Sequence, residues 1–164
     1  MTRETTCADC GAAVPDVDGP VHPYMGSSEG CWALYGEVLA REFSDPRYFA
    51  AHRLTVDTYA AQHPGRPERR ASQSVNVHLI ALHLVLERGA APAYVRRVLS
   101  DLVQRHQHRF DWLPPPPLAG ALTVVDVLRA ATPEQHCALV SRWARSVYDA
   151  WAPQRAAFLR YLDD

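Results

Sequence analysis

Between Ser72 and Arg88 the chain sets Val75, Val77, Leu79, Ile80, Leu82, Leu84, Val85 and Leu86 nearly all the way round a helical axis, with Gly89 as the stop that follows. A helix without a broad polar face is stable only when neighbours cover it on every side. The segment therefore demands other helices around it, and the remaining sequence supplies them. A first helix is expected from about Cys31 to Phe43, capped by Ser28, with Trp32, Tyr35, Val38, Leu39 and Phe43 on one stripe. Ser44-Asp45-Pro46 ends it and opens a second, which should run to His63-Pro64-Gly65, because Asp45 can cap and Pro46 fits the first helical position. Further starts stand at Pro92, at Thr123 with Asp126 three residues on, and at Thr132-Pro133. Pro114 to Pro117 form a stiff connector, and the last turns carry Phe158, Leu159 and Leu162. The pattern predicts an all-α fold, a compact bundle of five to seven helices in a single domain over residues 1–164. Within it, residues 1–30 form an N-terminal Cys-rich metal-binding loop and residues 31–164 the helical bundle.

At 164 residues the chain is long enough to bury a core without staples. Its formal charge of −1 and pI near 6.7 argue against nucleic acid or an anionic membrane surface as a partner. All 17 basic residues are arginine. The N-terminus has no apolar signal-like stretch and no apolar run approaches a membrane span, so a cytoplasmic protein is expected. In a reducing compartment, closely spaced cysteines point to metal ligation before disulfides.

Three of the four cysteines lie in the first 31 residues. Cys7-Ala8-Asp9-Cys10-Gly11 is a Cys-x2-Cys knuckle, in which a tight turn aims two sulfurs at one point and Gly11 suits the backbone that follows. Cys31 adds a third thiolate, favoured by the dipole of the helix it opens. His22, with eleven residues between it and Cys10, is the nearest fourth ligand, and His52, His78 and His83 are further candidates. The implied metal is zinc, on Cys7, Cys10, Cys31 and His22. Cys137, inside a helix, reads as a small buried residue.

A second cue is the polar stripe that Asn76, His83 and Glu87 make on the otherwise apolar helix. Such groups are either satisfied by core hydrogen bonds or line a wet pocket for a small-molecule ligand. In the second case His83 and Glu87 are candidate acid–base residues. His52 joins them from the preceding helix, where His63 shares its face about 16 Å along the axis. Arg66, Arg69 and Arg70 form a basic loop that could hold a phosphate or a carboxylate.

The segments Cys7-x2-Cys10-Gly11, His22-Pro23-Tyr24-Met25-Gly26-Ser27-Ser28, Gly30-Cys31-Trp32, His52 to Asp57, Gln62-His63-Pro64-Gly65 and His78-Leu79 resemble those of an uncharacterised, largely actinobacterial family, a domain of unknown function. The resemblance implies that these segments build one site. In architecture alone the chain is similar to metal-dependent helical bundles that transfer thiols, whose three-histidine pattern it lacks.

Three functions follow from these residues. The first is a zinc-binding helical protein in which a closed Cys/His site joins loop to bundle, with a ligand pocket among the helices. The second is a zinc enzyme of hydrolase or transferase type with an open metal position, assisted by His83 or His52. In the third, without metal, Cys31 is a nucleophile. Counting metal ligands separates the first two.

Overall fold

A computed structural model describes residues 3–163. The N-terminal segment, expected as a loop, opens with a small antiparallel hairpin of β1 (Glu4–Thr6) and β2 (Ala13–Pro15), paired Glu4 to Pro15, Thr5 to Val14 and Thr6 to Ala13. Sequence periodicity misses strands of three residues because alternation needs more positions to register. Eight α-helices follow among the described residues: α1 (Glu29–Ser44), α2 (Pro46–Phe49), α3 (His52–Gln62), α4 (Arg69–Leu86), α5 (Pro92–Arg105), α6 (Val124–Leu128), α7 (Pro133–Ala150) and α8 (Arg155–Asp163). The count passes the expected range because the segment from Pro46 to Gln62 is broken at Ala50-Ala51 into two helices. None is long and apolar enough to cross a membrane.

The local signals act as their chemistry requires. The hydroxyl of Ser28 accepts from the Cys31 N–H at 3.3 Å, and Asp45 accepts from the Arg47 N–H at 2.9 Å. Thr123 and Asp126 form a reciprocal capping box, and Thr132 accepts from the Gln135 N–H at 3.2 Å. In α4, Val75, Leu79, Ile80, Leu82 and Leu84 are buried, and the helix packs against α3, α5, α7 and α8. Trp143, Val147 and Tyr148 of α7, together with Trp151 and Phe158, complete the core. On α1 the apolar stripe is imperfect: Phe43 is 69% exposed, while Glu42 beside it is fully buried.

That inversion has a cause in the hydrogen bonding. Glu42 Oε2 meets His52 Nδ1 at 2.8 Å, and Oε1 meets His136 Nε2 at 2.9 Å and the Thr55 hydroxyl. A carboxylate with this many donors can leave water, and it ties α1, α3 and α7 together. Cys137, expected to be buried, is only partly so, and its neighbour His136 occupies the core position instead.

Candidate metal centre

The hairpin folds Cys7 and Cys10 over the body of the protein. The Gly11 N–H donates to the Cys7 carbonyl at 2.8 Å, and Gly11 takes φ +73°, a left-handed turn that closes the knuckle at little steric cost. Cys31 stands in the first turn of α1, and His63 caps the C-terminal end of α3. The three thiols and the His63 imidazole place their ligand atoms all within 4.8 Å of one another. Cys10 Sγ lies 3.9 Å from Cys31 Sγ, which lies 3.4 Å from His63 Nε2. A sulfur separation of that size is far beyond a disulfide bond of about 2.05 Å. Cys7 and Cys31 are fully buried, Cys10 is 5% exposed and His63 1%.

Supporting contacts fix each donor. His63 Nδ1 is 2.8 Å from the Tyr59 carbonyl, which can only accept, so Nδ1 carries a proton and Nε2 is the ring atom that faces the sulfurs. The same bond satisfies a carbonyl at the end of α3. The Tyr59 hydroxyl, on a ring stacked 3.8 Å from that of Tyr35, donates to Cys31 Sγ at 3.4 Å. Asp9, between the two knuckle cysteines, accepts from the Gly65 N–H at 2.9 Å, which ties the knuckle to the turn after His63.

Close packing of the backbone makes two glycines necessary here. A Cβ on Gly26 would strike the Asp9 carboxylate, and one on Gly65, at φ +73°, would strike the Tyr24 carbonyl.

Three thiols so close cannot all ionise unaided. Hydrogen bonds from Cys10 and Cys31 hold the Cys7 thiol well below its usual range, whereas the contacts with Cys10 and Cys7 push Cys31 up. Burial opposes charge on His63, but hydrogen bonds with Cys10 and Cys7 outweigh it and raise the imidazole to about 9. The cluster is a concentrated, buried set of soft donors, and a cation at its centre is what would neutralise it.

The cysteines predicted from spacing therefore come together, and the fourth position falls to His63 and not to His22. His22 instead packs edge-on against Tyr24 and Trp32, with ring centroids 4.3 and 5.3 Å away. Proximity in sequence favoured His22; the return of α3 beneath the knuckle places His63 there. His52 and His78 are likewise held away from the thiols, His52 by Glu42 and His78 by Asp57. The polar stripe on α4 is spent on packing partners: His83 Nδ1 meets the Tyr148 hydroxyl at 2.7 Å, Asn76 donates to the carbonyls of Ser72 and Asp111, and Glu87, exposed, pairs with Arg145. His83, Glu87 and His52 are thus drawn to separate partners and do not converge on the cysteines. The signal available for His63 was its place in His63-Pro64-Gly65, where a helix must stop and a side chain can turn back.

Fold and site together define a helical protein with a buried Cys3His cluster that can hold one metal ion. The chain belongs to the family of unknown function DUF5946, which it matches over residues 5–152. No curated protein and no solved structure matches it.

Proposed function

We propose that the chain is a cytoplasmic zinc-binding protein whose Cys7, Cys10, Cys31 and His63 form a closed structural centre joining the N-terminal hairpin to the bundle. The observation that carries this reading is the fourth buried ligand. Catalytic zinc keeps a coordination position for water or substrate, whereas structural zinc takes four protein ligands. With metal–sulfur bonds of about 2.3 Å and metal–nitrogen bonds of about 2.0 Å, tetrahedral ligands sit roughly 3.8 Å apart for two sulfurs and roughly 3.5 Å apart for sulfur and nitrogen. The separations of 3.9 and 3.4 Å fit that geometry. Zinc suits the donor set, since thiolates with one imidazole favour a borderline-soft ion without redox chemistry.

The link matters because the first 30 residues bury little: Cys7, Cys10, Ala12, Val14, Ser27 and Gly30 are the buried positions among the described ones. Metal bonds replace the missing core. The same burial weighs against Cys31 as a nucleophile, as its sulfur is enclosed by Cys10, His63 and Tyr59.

The test is elemental analysis of untagged protein beside Cys31→Ser and His63→Ala. One zinc per chain, lost in both variants, is the expected result. A metal-free parent protein, prepared without chelator, overturns the proposal.

A further inference from the structure

A second arrangement of buried charge lies apart from the cysteines, on the other face of α3. Asp57 is fully buried, and each of its oxygens is engaged: Oδ2 by Arg53 Nε and Oδ1 by His78 Nδ1, both at 2.7 Å. A carboxylate accepts only, so His78 carries a proton on Nδ1. Its Nε2 has no protein partner among the described residues. His78 is not sealed in. Its side chain is 21% exposed and lines a cavity of about 450 Å³, with Arg69, Arg70, Gln73, Tyr24 and His108 on the walls.

Arg47, Arg53, Arg145 and Arg160 all pair with carboxylates, whereas Arg69 and Arg70 make no ion pair or hydrogen bond among the described residues. Glu68 and Arg66 lie in the neighbouring cavity, which shares Tyr24. Two unpartnered guanidiniums beside an imidazole oriented by a buried carboxylate make a receptor for negative oxygen atoms, because planar forks bind oxyanions bidentately. The volume is that of a small-molecule site.

We propose that this cavity binds a small molecule bearing an oxyanionic group, phosphate or carboxylate, with Arg69 and Arg70 on the anion and Nε2 of His78 hydrogen-bonded to the same ligand. Asp57 is a positioning residue: it holds the ring so that Nε2 faces the cavity, and Arg53 holds Asp57. The site shares no residue with the cysteine cluster.

The experiment is a calorimetric titration of the whole, metal-replete chain with inorganic phosphate and, separately, with citrate. Histidine ring signals are followed by NMR in parallel. Saturable binding of at least one anion is expected, with the His78 ring signal moving as the site fills. The exposed positions of Arg69 and Arg70 allow R69A/R70A to fold, and that variant should bind at least tenfold more weakly. H78N should also weaken binding, and thermal melts of both variants verify that they remain folded. No saturation by either anion at about 10 mM, well above a millimolar Kd, overturns the proposal. So does equal affinity in R69A/R70A, or binding that leaves His78 unmoved.

Discussion

The sulfur of Cys31 lies 3.4 Å from Nε2 of His63, 32 residues further along the chain. One residue opens a helix and the other closes a different helix, so their meeting is a property of how α1 and α3 pack. The hairpin then delivers Cys7 and Cys10 to the junction, and Asp9 clamps it through Gly65.

Chelating the proposed zinc should loosen the N-terminal segment first. Chelator treatment, or His63→Ala, is expected to cost several kcal/mol, about 4 for a site occupied at a thousandfold its Kd, and to lower Tm by roughly 8–16 °C in a chain of this size. His22→Ala should keep its metal, since His22 packs on Tyr24 and Trp32. Zinc content and thermal melts of the two variants measure the contrast; loss of zinc in His22→Ala with retention in His63→Ala would reverse the ligand assignment.

Gly65→Ala should destabilise by about 1–3 kcal/mol, because the residue sits at φ +73° with its missing Cβ aimed at the Tyr24 carbonyl. Asp9→Asn keeps the shape but weakens the acceptor for the Gly65 N–H, and a smaller loss is expected. Urea unfolding of both proteins at fixed zinc concentration checks the order.

Glu42→Ala should be among the most damaging single changes in the bundle. It strands His136, fully buried, and leaves the Thr55 hydroxyl only the Ala51 carbonyl, and loss of one partner from a buried charged network typically costs about 3–5 kcal/mol. Glu42→Gln retains an acceptor and should lose less. Equal, small effects of both changes in denaturant titrations would show that the network contributes little.

His83 provides a pH signature. Burial, followed by the nearby Arg88, depresses its pKa below the ordinary histidine value, opposed by Glu87. A folded pKa below the unfolded one means that the unfolded chain binds more protons in between, so the His83 contribution is intact above about 6.5 and declines as pH falls below it. The stability difference between the wild type and His83→Gln should therefore shrink from pH 8 to pH 5. A difference that stays constant across that range would place the folded pKa at its ordinary value.

Much of the architecture was legible from local chemistry. Ser28, Asp45, Thr123 and Thr132 each cap the helix that their positions announced, since a cap acts within three residues and needs no distant partner. The burial of α4 followed from its all-round apolar surface. The break at Ala50-Ala51 was not legible, because alanine favours helix and nothing in the sequence stops one there. Nor was the inward turn of Glu42, whose burial depends on His52 and His136 arriving from other helices.

The candidate centre divides in the same way. Spacing alone picked out Cys7 and Cys10, which share one turn, and the helix start picked out Cys31. The sequence by itself determined an α-helical bundle with three thiols at its N-terminal edge, because helix periodicity, caps and a Cys-x2-Cys turn are interactions between near neighbours. Only the tertiary structure decided that His63 faces those thiols while His22 packs edge-on against Trp32, and that Asp57 holds His78 at the wall of a basic cavity. Each of those contacts joins residues from separate elements, and which helix faces pack together is set by the burial of the whole core and not by any local pattern.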